Sequence, residues 1–176
     1  MGEPARLVPA ADKAARLLAL RPHFRRELEV KLERSGYGRE EVAEALETLV
    51  RLKLVDDLAL ARAFVETVAR RKGWGRMRVA QELARRGAPE EAAQAALALR
   101  SPEDDLEGAR DAARRFRSRS SGAASGDAGR AEALARHLSR RGFASSAIFK
   151  VLKEMAAPTS RLSDACDEGS EAAPED

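Results

Sequence analysis

Two aspartate pairs, Asp56-Asp57 and Asp104-Asp105, are the first residues of this 176-residue chain to suggest chemistry, as paired carboxylates for acid/base work or a metal ion. Both pairs follow a short break and open the same pattern, Asp-Asp-Leu-x-x-Ala-Arg. Carboxylates at equivalent helix starts are accounted for by capping: one accepts a free first-turn N–H and the other faces the positive end of the helix. Lys72-Gly73-Trp74-Gly75-Arg76 sets two glycines among cations. It has no lysine after the second glycine and no strand before the first, so it lacks the phosphate cradle of a nucleotide-binding loop. Gly73 reads as a helix end and Gly75 as the turn that follows. Trp74 either covers a gap between structural units or, with Arg70, Arg71, Lys72, Arg76 and Arg78, supports phosphate contact or base stacking. Arg85-Arg86 and Arg140-Arg141 sit in the last turns of expected helices, where cations complement the helix dipole; they also present equivalent basic patches. His23, His137 and Cys166 are too few for a Cys/His zinc site, and one cysteine allows no disulfide within the chain. With no nucleophile–base grouping either, the chain reads as a non-enzyme without a cofactor.

The elements that position these residues are helices. Ala, Leu, Glu and Arg dominate, isoleucine occurs once, and aromatics are 4% of the chain, which removes the β-branched and aromatic stock of a sheet protein. Leu32-x-x-x-Gly36, Leu83-x-x-x-Gly87 and Leu138-x-x-x-Gly142 form a repeat, the glycines standing 51 and 55 residues apart. Glycine fits the left-handed position just past a helix end. Counting back puts each leucine at C3, facing Tyr37, Ala88 or Phe143 at C″. Leu46, Leu97 and Leu152 follow ten residues after each glycine, with Val42, Ala93 and Ile148 one turn earlier on the same face.

The spacing predicts nine helices: 12–21, 23–35 and 39–52; 57–72, 76–86 and 89–100; 103–117, 130–141 and 145–156. The expected architecture is all-α, three tandem three-helix repeats (10–53, 54–100 and 101–157) stacked into an elongated, curved array, because so small a trio cannot bury its apolar face alone. Residues 1–9 read as a flexible arm, 118–129 as a flexible Ser/Gly/Ala-rich loop and 158–176 as an acidic disordered tail. Residues 159–176 carry a net −5, leaving +8 on 1–158. A basic body suits a partner that is nucleic acid or bound to it. No apolar run is long enough to span a bilayer and no signal sequence is evident, so a cytoplasmic monomer without membrane contact is expected.

In order and spacing these motifs resemble the RecX family of bacterial regulators of the RecA recombinase. The resemblance covers about 12–157. It rests on Leu18-Ala-Leu-Arg21 with Glu27-Leu28-x-x-x-Leu32-x-x-x-Gly36, and on Leu54-Val-Asp-Asp57-x-x-x-Ala61-x-x-Phe64-Val65. Lys72-Gly73 with Glu82-Leu83-x-x-x-Gly87, Arg140-Arg141-Gly142-Phe143 and Ile148-x-x-Val151-Leu152 complete it. Pro22 stands where the family often has serine, and the 118–129 loop is long. The resemblance implies a protein of DNA repair, homologous recombination and the SOS response. Such a protein binds the RecA–single-stranded DNA filament and inhibits RecA's ATP hydrolysis, strand exchange and coprotease activity. On that reading Lys72, Arg76, Arg78, Arg85, Arg86, Arg140 and Arg141 meet acidic RecA surface or DNA phosphate, with single-stranded DNA a second, direct contact. The alternatives are a helical scaffold indifferent to nucleic acid and a helix-turn-helix DNA binder. Glu40, Glu41, Glu44 and Glu47 on the first would-be recognition helix, and Glu90 and Glu91 on the second, argue against the latter, since phosphate repels them.

Overall fold

The computed structural model describes residues 8–119 and 127–156. Among them lie nine helices and no strand. The first trio is α1 (Ala10–Leu20), α2 (Arg25–Arg34) and α3 (Arg39–Arg51). Helix α4 spans 57–72, built from Asp57–Ala63, a π-helical segment Phe64–Ala69 and Arg70–Lys72; α5 (Arg76–Arg85) and α6 (Glu90–Ala98) complete the second trio. The third is α7 (Pro102–Arg119), α8 (Asp127–Arg140) and α9 (Ser145–Ala156).

The repeated glycines end the middle helix of each trio in the way their spacing predicts. Gly36, Gly87 and Gly142 have φ of 85°, 79° and 79°. The Tyr37, Ala88 and Phe143 N–H groups donate to the Leu32, Leu83 and Leu138 carbonyls at 3.2, 3.0 and 3.3 Å. Each glycine N–H donates to the carbonyl at C2, completing the two-bond cap. All three leucines are buried, as are Tyr37 and Phe143, so the C3–C″ contact ties the cap into the core. The end of α3 uses the same geometry with Lys53 in the left-handed region, φ 57°.

Apolar burial follows the trios. One core gathers Leu28, Leu32, Val42, Leu46 and Leu49; a second Phe64, Val65, Val79, Leu83 and Leu97; a third Leu134, Leu138, Phe143, Ala147 and Val151. Phe24 is the exception that links two of them: it precedes α2 yet is fully buried in the second core. The fold is an all-α array of three tandem three-helix repeats, each repeat leaning on the next.

The contacts between repeats recur too. The residue before each repeated glycine in the second and third trios is an arginine that reaches back to the preceding repeat. Arg86 donates to the Pro22 carbonyl at 3.1 Å, pairs with Glu27 at 3.6 Å and lies over the rings of Phe24 and Phe64. Arg141 donates to the Lys72 and Gly73 carbonyls at 2.5 and 3.2 Å. In the first repeat the position holds Ser35. At the second junction the backbones themselves meet: Gly75 N–H donates to the Arg141 carbonyl at 2.8 Å and Met77 N–H to the Gly142 carbonyl at 3.1 Å. A Cβ on Gly75 or Gly142 would lie under 3 Å from the facing backbone, so only glycine fits at either place.

Local boundaries differ from expectation in the third repeat. Asp56 caps α4 as expected, accepting the Ala59 N–H at 2.9 Å. The second aspartate pair does not open its helix. Here Ser101 is the cap, its Oγ accepting the Asp104 N–H at 3.0 Å while Asp104 accepts the Ser101 N–H at 2.9 Å, and Pro102 takes the first helical position. Asp105 instead pairs with Arg100 at 2.7 Å. Helix α7 runs to Arg119 and α8 starts at Asp127, so both helices enter the segment expected as loop. Its centre, the arm over 1–7 and the acidic tail lie outside the described residues.

Candidate nucleic-acid interface

Between the second and third repeats runs an open-sided groove of about 600 Å³ lined by Lys72, Trp74, Arg78, His137, Arg140 and Arg141. The end of α4 supplies Lys72, the following turn Trp74, and the first turn of α5 Arg78. The last turns of α8 supply His137, Arg140 and Arg141, brought opposite by the Gly75–Gly142 contact. Trp74 is half-buried on the second core, its ring 6.4 Å from that of Phe64. Lys72 Nζ stands 4.5 Å and the Arg78 guanidinium 5.6 Å from its ring centroid. Neither these two cations nor Arg140 is paired with a carboxylate among the described residues, and all three are exposed.

His137 packs against Phe116 at 4.7 Å and accepts a hydrogen bond at Nε2 from Arg141 Nε at 2.9 Å. Burial first, then the charges of Arg141, Arg140 and Arg119, push its pKa below the ordinary histidine value. The neutral imidazole therefore lets three arginines crowd the end of α8 without a further charge. Glu82 lies near the rim; its bond to Arg85, with Lys72 and Arg78 nearby, outweighs burial and keeps the carboxyl below its usual range.

The seven basic residues singled out in the sequence do different things. Lys72, Arg78 and Arg140 come together on the groove with their charges free. Arg141 lines it but is bonded to the preceding repeat. Arg76 donates to the Leu97 and Arg100 carbonyls at 2.9 and 3.3 Å, closing the end of α6. Arg85 is exposed and paired with Glu82 at 2.5 Å. Arg86 belongs to the first junction, where Glu27 receives it. Burial acts to raise the Glu27 carboxyl, but the bond and charge of Arg21, with His23 and Arg86, hold it below the usual range. His137 is the groove residue that the sequence reading set aside. Its signal was the i, i+4 spacing to Arg141, which places both on one face of α8.

On the other side of Trp74 is a cleft of about 420 Å³ with both signs of charge, Arg62, Arg70 and Arg115 beside Glu66, Asp104, Glu107 and Asp111. Among the described residues no group of three or more His, Cys, Asp or Glu side chains is placed to hold a metal ion, and no helix is long and apolar enough to cross a membrane.

Fold and groove together define the class: a tandem three-helix-repeat protein with a cationic groove at a repeat junction. Comparison with known proteins makes the class specific. The family model for the first three-helix domain of RecX matches residues 10–49, and that for the second matches 56–97. A regulatory protein RecX of Thermus thermophilus is 42% identical over 106 residues, 60% of this chain and 70% of that one. Another, from Chlorobaculum tepidum, is 44% identical over 81 residues, a stretch spanning 46% of this chain and about half (51%) of the relative's length. The crystal structure of RecX from Lactobacillus salivarius shares the fold, with a TM-score of 0.72 at 21% identity, over 83% of this chain and 94% of that one. The chain belongs to the RecX family of regulatory proteins.

Proposed function

We propose that this protein binds the RecA–single-stranded DNA filament and inhibits RecA's ATPase, strand exchange and coprotease activities. The observation that carries the reading is the array itself. Three cores joined by two arginine latches make a repeat array, and at the second junction Lys72, Arg78 and Arg140 line one groove without a carboxylate partner among the described residues. Such a body suits a long polyanionic partner better than an enclosed small substrate, and family membership supplies RecA as that partner. In this mechanism the repeats bridge successive RecA subunits and restrain the movements that ATP hydrolysis needs, while the groove cations meet the filament's negative charge. No catalytic residue is required.

The test is RecA's ATPase rate on single-stranded DNA with the purified protein titrated in at two salt concentrations. Inhibition should appear at protein concentrations below that of RecA and weaken as salt rises, because exposed charges are screened. An unchanged rate at both salts would remove the reading.

A further inference from the structure

We propose that the groove between the second and third repeats is a phosphodiester site for a single nucleic-acid strand, with Lys72, Arg78 and Arg140 contacting phosphate and Trp74 acting as a positioning residue. The single-strandedness of the ligand rests on the filament reading above; the phosphate chemistry rests on the groove.

Three observations carry it. First, every charged side chain lining the groove is cationic. A phosphodiester backbone brings one negative charge per nucleotide at short, regular intervals, and a lining whose charges are all cationic matches it. An acidic protein surface mixes carboxylates with cations and backbone groups; the matching surface for that is the two-signed cleft on the far side of Trp74.

Second, Lys72 and Arg78 are held over an aromatic ring rather than against a carboxylate. Cation–π attraction fixes a cation's place and leaves its charge uncancelled. Arg85 shows the contrast: its guanidinium is also exposed, and Glu82 pairs with it. With cations on its ring, Trp74 serves the strand by holding charge more than by stacking a base.

Third, the groove is open along its length and rigid at its ends. Arg141 ties the end of α8 to the Lys72 and Gly73 carbonyls, and the Gly75 and Met77 N–H groups are bonded to the same helix end. The helix ends that carry these cations are therefore joined before a strand arrives, which lowers the entropic cost of binding.

Trp74 is the only tryptophan of the chain, so its emission reports on the groove alone. The experiment titrates the full chain, without RecA, with a single-stranded thymidylate oligomer of about 12 nucleotides, within the footprint of known single-strand grooves. A saturable change in emission is expected, with log affinity falling against log salt at a slope of about −2, the value for three phosphate contacts on a single strand. K72Q, R78Q and R140Q should each weaken binding and lower the slope by about 0.7. R16Q, at an exposed position of α1, should change neither. For the Trp74 variants the readout is anisotropy of a labelled oligomer: affinity should fall from Trp through Phe to Leu with the salt slope retained, as a positioning role requires.

Absence of saturable binding would overturn the proposal, as would full binding by the triple variant K72Q/R78Q/R140Q. Equal displacement of the oligomer by polyglutamate would assign the groove to an acidic protein surface instead. Equal affinity for a duplex would overturn the single-strand assignment. Inhibition of RecA together with failure here leaves the filament reading standing and removes this one.

Discussion

Gly142 carries two burdens at once: it ends α8 with a φ of 79° and it receives the start of α5, where a Cβ would lie under 3 Å from the Arg78 backbone. Gly142→Ala therefore adds left-handed strain of about 1–2 kcal/mol to an overpacking cost of about 1–3 kcal/mol. A loss of about 3 kcal/mol is expected in urea unfolding. Gly38 has open space around it and an ordinary φ of −66°, so Gly38→Ala should stay within about half a kcal/mol. The histidines make a second residue-scale prediction. His23 is buried, donates from Nδ1 to the Arg21 carbonyl at 2.8 Å and lies 3.1 Å from Lys31 Nζ; burial foremost lowers its pKa, as it does that of His137. As pH falls through the unfolded value near 6.5, the unfolded chain takes up protons that the folded chain refuses, so stability drops. The urea midpoint should be lower at about pH 5.5 than at about pH 7.5. His137→Gln, which keeps an acceptor for Arg141, should reduce that difference. The sequence made the glycines legible, because a left-handed cap demands that residue type. It did not separate Arg85 from Arg86, or Arg140 from Arg141: both members of each pair look alike until the preceding repeat is in place.

At the scale of elements, helix starts and ends were readable wherever one residue type dominates the local energy, and were missed where two starts compete. Asp104-Asp105 matched Asp56-Asp57 in pattern, yet Ser101-Pro102 offered a hydroxyl cap and a favoured first residue three positions earlier, and that combination won. The π-helical segment of α4 was not legible either. Ala61, Phe64 and Val65 stand at i, i+3 and i+4, the spacing of an ordinary α-helical core face, so nothing in the local pattern marks the wider turn. The Arg86 latch gives this scale its prediction. Arg86→Ala removes a charge-assisted bond to the Pro22 carbonyl, the Glu27 pair and cover over two rings, a loss of about 2 kcal/mol. The loss falls on the coupling between neighbouring repeats. In urea, helix content followed by circular dichroism should begin to fall before Trp74 emission changes, whereas the unaltered chain should show the two together.

The whole molecule joins two properties that the sequence presented separately, a repeat and a charge excess. The glycine spacing announced the array, and the residues between the glycines supplied three cores of ordinary size. What the spacing left open was how one repeat sits on the next, since that depends on long-range contacts such as Phe24 entering the second core and Gly75 meeting Gly142. Those contacts also bear on whether the proposed inhibition of RecA would follow from charge or from coupling between repeats, and Arg85 and Arg86 separate the two. Arg85→Ala and Arg86→Ala remove the same charge one residue apart on α5 and its end. Arg85 is exposed and paired only with Glu82, whereas Arg86 holds the first repeat to the second. If the array restrains RecA by bridging its subunits, Arg86→Ala should raise the concentration needed for half-inhibition of the ATPase about tenfold, the effect of about 1.4 kcal/mol of lost coupling. Arg85→Ala should leave it within about twofold, and the salt dependence of inhibition should be the same for both, because neither arginine lines the groove. Equal losses from the two substitutions would mean that net charge sets inhibition and the latches do not.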